Sequence, residues 1–166
     1  MQNKRLIAAT CTVLFLGACA TTSDQSQLLG IGCTKLDTGV AVRDQNATGA
    51  RLFYVDGSIL RSRDACGAQI FAFDGERLRN HDLRGSSIYF FDGDTVRAYN
   101  ASGARLITFD GRTLHASVRS GAALYDFDGQ TLRYRNSSGA VIAYFDQPVG
   151  RWAAIAVLAQ KGLMPS

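Results

Sequence analysis

Apolar and polar positions return along most of this chain with a period of 18 residues. Aligned on Phe-Asp-Gly, the sequence gives five gap-free copies at 53–70, 71–88, 89–106, 107–124 and 125–142. A weaker copy at 35–52 precedes them, and a fragment at 143–146 follows. Numbering each copy from 1 to 18 puts Val55, Phe73, Phe91, Phe109 or Phe127 at position 3, and Leu60, Leu78, Val96, Leu114 or Leu132 at position 8. Between them stand Asp56-Gly57, Asp74-Gly75, Asp92-Gly93, Asp110-Gly111 and Asp128-Gly129. Asp-Gly between apolar segments predicts a tight hairpin, because a type I′ turn needs positive φ at both central residues. Position 15 is glycine in every copy (Gly49, Gly67, Gly85, Gly103, Gly121, Gly139), often after Asn or Ser, and marks a second, longer turn. Each copy is therefore two strands of about five residues and two turns, and the array is an antiparallel meander.

A two-residue Asp-Gly turn pairs position 3 with 6, 2 with 7 and 1 with 8. Positions 1, 3 and 8 then share an inner face of aromatics and leucine, while position 9 (Arg43, Arg61, Arg79, Arg97, His115, Arg133) lies outside. Position 18, always Leu or Ile, falls among the arginines, a conflict that a β-bulge at position 5 or 6 would relieve. About twelve such strands should close, because closure removes both edges. Eight strands already fill a barrel with side chains, so twelve leave a bore that needs an occupant. The chain supplies one. Residues 151–161 read as a helix, apolar on every side from 152 to 159 and Ala-rich, with Gly162 and Pro165 to stop it. The expected fold is all-β with one C-terminal helix: a closed antiparallel meander barrel of about twelve short strands at residues 31–147, plugged by the helix of residues 148–166.

The first residues carry another pattern. Lys4 and Arg5 precede an apolar run at 6–16, then Gly17, Ala18 and Cys19. That order makes a secretory signal over residues 1–18, too short for a permanent span. Leu16-Gly17-Ala18-Cys19 resembles the bacterial lipobox. The resemblance implies that the Cys19 thiol receives a diacylglycerol, that the chain is cut before it, and that the new amine is acylated with a chain such as palmitate. Ala20, where aspartate would resemble an inner-membrane retention signal, implies the outer membrane of a Gram-negative bacterium, with the domain facing the periplasm. Several acyl chains anchor far more firmly than one. Residues 19–30 are then a lipidated N-terminus and polar tether.

Composition narrows the partners. Residues 1–18 hold Lys4 and Arg5 and no acid, so their removal lowers the formal charge of +4 by two. That balance is too mild to predict a nucleic-acid partner. With Cys19 given to lipid, Cys33 and Cys66 remain in an oxidising compartment as a candidate disulfide, two buried free thiols being the alternative. His81 and His115 sit at ordinary repeat positions, and no Ser-His-Asp or metal-ligand spacing converges on either. No enzyme, metal or cofactor is predicted. Asp126-Phe127-Asp128-Gly129 and Asp92-Gly93-Asp94 offer oxygens, but calcium wants six or more, and turn chemistry already explains the aspartates. The ladder Arg61, Arg79, Arg97 and Arg133 has two readings: a ring for anionic headgroups, phosphate or peptidoglycan carboxylates, or a solvated face balanced by nearby Asp.

Tandem units such as 88–93 (Ile-Tyr-Phe-Phe-Asp-Gly) and 124–129 (Leu-Tyr-Asp-Phe-Asp-Gly) resemble the bacterial β-flower proteins, shallow barrels of repeated hairpins related in shape to the Tubby-like barrel with its central hydrophobic helix. The resemblance covers residues 35–146 and departs in repeat number. It implies the barrel and envelope or lipid binding. The expected function is a non-enzymatic, outer-membrane-anchored scaffold or adaptor whose partner is an envelope protein, lipid or peptidoglycan; the alternative is a module for lipids or other hydrophobic ligands.

Overall fold

The computed structural model describes residues 38–165. The signal, Cys19, the tether and Cys33 lie outside the described residues. Twelve strands and one helix follow in order: β1 (Val40–Arg43), β2 (Arg51–Asp56), β3 (Ile59–Ser62), β4 (Gln69–Phe73), β5 (Arg77–Asn80), β6 (Ser87–Asp92), β7 (Thr95–Ala98), β8 (Arg105–Asp110), β9 (Thr113–Ala116), β10 (Ala123–Phe127), β11 (Thr131–Tyr134), β12 (Val141–Phe145) and α1 (Arg151–Gln160). Each strand pairs antiparallel with its neighbours in the chain, and β1 pairs with β12, so the sheet is a closed barrel.

The predicted faces hold, but the predicted register does not. Val55 pairs with Leu60 and Tyr54 with Arg61, so position 3 meets position 8 and position 2 meets position 9. The two-residue loop is Gly57-Ser58, one step beyond Asp-Gly, and position 4 closes on position 7. Gly57, Gly93 and Gly111 have φ of 60, 61 and 62°, while the residues after them do not have positive φ. That is the II′ pattern, with glycine at the first central position, rather than I′. In the other two copies Asp74 and Asp128 accept the backbone N–H groups of the second and third residues after them through Oδ1. Both registers leave positions 1, 3 and 8 on one face, which is why the face assignment survived.

The bulge also lies elsewhere. Leu60 pairs with Phe71 but Arg61 with Gln69, so Ile70, at position 18, is the extra residue. Leu52, Ile88, Leu106, Leu124 and Ile142 are skipped in the same way at the other copy boundaries. A bulge re-aims a side chain. Here it turns five of the six position-18 residues towards the core, where Ile70, Ile88, Leu106 and Leu124 pack and Ile142 is buried.

Position 8 forms the waist of the barrel. Val42, Leu60, Leu78, Val96, Leu114 and Leu132 are fully buried, with the position-3 aromatics Phe109, Phe127 and Phe145 beside them. Inside them lies α1, whose consecutive residues Ala153 to Leu158 are all fully buried. Six successive helical residues sweep more than a full turn at 3.6 residues per turn, so only a surrounding wall can bury them all. The helix ends in a Schellman motif: Gly162, at φ 68°, donates to Ala159 O, and Leu163 donates to Leu158 O at 2.8 Å. Trp152 stacks on Phe73 at 5.5 Å near the Asp-Gly end. Tyr125 Oη–H donates to Leu163 O at the other end.

The weak copy and the terminal fragment are complementary halves. Five hairpins are continuous in the chain, while the sixth is split between β12 and β1. Phe145 pairs with Val42 and Tyr144 with Arg43, again positions 3 with 8 and 2 with 9. Asp146 N–H donates to Ala41 O at 3.0 Å, the counterpart of Asp74 N–H to Arg77 O at 3.1 Å in a continuous hairpin. Closure therefore uses the standard repeat pairing with no connecting turn.

Candidate functional site

The arginine ladder is positioned by the sheet and engaged by it. At position 9 every side chain leaves the outer wall beside a long-turn carbonyl, and four of the six also reach a carboxylate. Arg61, Arg79 and Arg97 donate from Nε to Asp56, Asp74 and Asp92 at 3.2, 2.7 and 3.3 Å. From Nη1 the same residues donate to the carbonyls of Gly67, Gly85 and Gly103. Arg133 makes the carbonyl bond to Gly139 at 3.3 Å. His115 takes the arginine's place in its copy, with Nδ1 2.9 Å from Gly121 O. In the split hairpin Arg43 reaches Asp146 at 2.8 Å and Gly49 O at 3.3 Å. The carboxylate that the weak copy lacks thus comes from the far end of the chain, and its hydrogen bond holds Arg43 above its ordinary pKa.

Any residue could offer that carbonyl, so the glycine at position 15 has a separate, steric cause. A Cβ on Gly103 would meet Ala98 O at 1.7 Å, and one on Gly67 would meet Ser62 O at 1.5 Å. Steric contact therefore fixes glycine there, whereas at Gly57 and Gly93 a Cβ would meet nothing and φ alone selects it. Sequence reasoning missed position 11. Gln45, Arg63, His81, Tyr99, Ser117 and Arg135 all have φ near 60°. The next residue donates back across each of them, as Asn100 does to Ala98 O at 2.6 Å. That is a γ-turn of the rare, strained sense. No residue type is shared by the copies at this position beyond arginine in two of the six, so no signal announced it.

At the Asp-Gly end a network gathers round the start of α1. Arg151 donates to Asp94 at 2.6 Å and lies 4.8 Å over the Phe109 ring, and Arg119 donates to Asp94 at 2.8 Å. Hydrogen bonding to Arg151, opposed by burial, holds the Asp94 carboxyl below the usual carboxylate range. Phe73, Phe91, Phe109 and Trp152 line a recess of about 320 Å³ there. Burial pushes Asp74 and Asp128 up, but hydrogen bonds bring both below the ordinary value: from Arg79, Glu76 and Arg77 onto Asp74, and from Gln130 and Thr131 onto Asp128. Asp126 and Asp128, weighed above for calcium, both face Arg112, which donates to Asp126 from Nε and Nη2 and stands 3.8 Å from Asp128.

At the long-turn end an apolar cleft of about 300 Å³ lies between Ile88, Tyr89, Tyr99, Leu106 and Pro165. Burial, with Tyr99 second, pushes the Tyr89 phenol up. Cys66 sits in a long turn at this end and is disulfide-bonded; the chain's other cysteines all precede the described residues. His81 is exposed in its turn, whereas His115 belongs to the ladder. Among the described residues no group of three or more His, Cys, Asp or Glu could hold a metal, and no helix is long and apolar enough to cross a membrane. No family model, curated protein or solved structure matches the chain.

Proposed function

We propose that this chain is a non-enzymatic lipoprotein, held by acylated Cys19 at the outer membrane facing the periplasm, whose repeat barrel serves as a scaffold or adaptor. The β-flower and Tubby-like kinship belongs to the same proposal, supported by short hairpins closed round an apolar helix. One observation carries the functional reading: the barrel fills its bore with its own helix, fully buried from Ala153 to Leu158. The position-9 arginines are likewise engaged in holding the wall together. Contact surface is then left at the two ends and on the outer wall, as in a protein that acts by being bound.

The alternative, a module for lipid or another hydrophobic ligand, draws support from the cleft beside Pro165. Native mass spectrometry of the full chain purified from the periplasmic side separates the two. Bare polypeptide beyond the Cys19 acyl mass is expected; a stoichiometric additional lipid would move the function to the alternative. Cys19→Ala should abolish palmitate labelling, and persistent labelling would remove the anchor from the proposal.

A further inference from the structure

Tyrosine stands at position 11 in only one copy, as Tyr99, and the same copy has tyrosine at position 1, as Tyr89. Tyr99 is the most exposed large apolar side chain among the described residues, at 67 %, and its backbone is held at φ 59°. A left-handed φ is strained for a bulky side chain, and burial of the ring does not offset that strain here. With Ile88, Leu106 and Pro165 the two tyrosines line the cleft of about 300 Å³. Its lining holds no charged side chain. The phenols of Tyr89 and Tyr99 make no hydrogen bond among the described residues, and burial keeps the proton on Tyr89, so both are open donors.

The tail after α1 displays one occupant of this end of the barrel. Leu163 and Met164 pack against the core, and the Tyr125 phenol donates to Leu163 O. Two residues on, Pro165 borders the cleft beside Tyr89 and Tyr99. We infer that the cleft binds an extended, proline-rich segment of a protein partner, laid beside the chain's own Pro165. Polyproline II has no internal hydrogen bonds, so its carbonyls are open to the two phenols, and its stiffness keeps the cost of ordering low. Its apolar rings match aromatic walls, which is how proline-rich segments dock elsewhere. An acyl chain would use the same walls but leave both phenols without a partner. The inference rests on the adaptor reading for the occupant's being a protein, and it gives that partner a chemistry.

The test uses the full chain carrying Cys19→Ala, so that neither detergent nor an acyl chain competes for the cleft. Fluorescence anisotropy follows the binding of labelled decaproline, with a glycine–serine peptide of the same length as the control. Decaproline should bind and the control should not. Tyr99→Ala should weaken binding about tenfold or more, as loss of a central aromatic contact does. Tyr89→Phe, which removes only a donor, should weaken it about fivefold. Leu83→Ala, at an exposed apolar residue of another long turn, should change nothing. The melting transition of each variant shows that it is folded. No binding of decaproline, equal binding of the glycine–serine peptide, or an unchanged affinity in Tyr99→Ala would overturn the proposal. Binding of cis-parinaric acid in place of decaproline would also overturn it and give the cleft to a hydrophobic ligand. The adaptor reading fails separately: a stoichiometric lipid mass removes it, whereas a bare polypeptide that ignores decaproline loses only this partner.

Discussion

The split hairpin β12–β1 and the continuous hairpin β6–β7 have the same pairing, although only one has a turn. Phe145 faces Val42 as Phe91 faces Val96, and Tyr144 faces Arg43 as Phe90 faces Arg97. The latch of the split pair, Arg43 to Asp146 at 2.8 Å, is shorter than Arg97 to Asp92 at 3.3 Å. Register in this barrel is therefore fixed by side chains: apolar pairs at positions 3 and 8 inside, and the arginine–aspartate latch outside. The turn shortens the search for that register but does not choose it.

The strongest way to break the comparison is to remove what both hairpins pack against. Deleting 150–166 takes away six fully buried residues and should abolish the cooperative thermal transition, seen by calorimetry. A truncated chain that melts as before would place the helix outside the core. Next come Phe145→Ala and Phe127→Ala, whose rings pack edge to face at 5.7 Å. Each should cost about 3–5 kcal/mol. Hydrogen exchange should tell them apart, since only Phe145→Ala is expected to release β1 and β12 ahead of the other strands.

Four glycine–serine residues inserted between Gly57 and Ser58 should cost only about 1 kcal/mol and leave β2 and β3 in register. Loss of the fold would return control of register to the turn. Asp146→Ala should lower stability by about 1 kcal/mol and Asp92→Ala by a few tenths, both discounted for exposure. The smallest effect is that of pH. Asp74, Asp94 and Asp128 have folded pKa values below the unfolded carboxylate value, so their stabilisation is full above that value, near pH 4, and is lost as pH falls through the lower folded one. The melting temperature should hold from about pH 7 to 5 and decline below about 4, less steeply in Asp74→Asn.

Much of the fold was legible because it is written locally and six times over. Apolar identity at positions 1, 3 and 8 set the inner face, and the all-round apolar run at 152–159 announced a buried helix. Asp-Gly announced a turn but placed it one residue early, since the two-residue loop is Gly57-Ser58, which brings Val55 opposite Leu60. Leucine or isoleucine at position 18 signalled a bulge without locating it, because a bulge belongs to two strands and one strand's pattern cannot place it. The ladder was visible as a column of arginines, but its acceptors were not.

By itself, then, the sequence determined the period, the strand faces, the closed barrel and the helix that fills it, because each follows from side-chain polarity at fixed spacing. The tertiary structure decided which carboxylate Arg43 receives and where the bulges between neighbouring strands re-aim the position-18 residues. Those are contacts across strands or across 103 residues of chain, as between Arg43 and Asp146, and they exist only once the ring has closed.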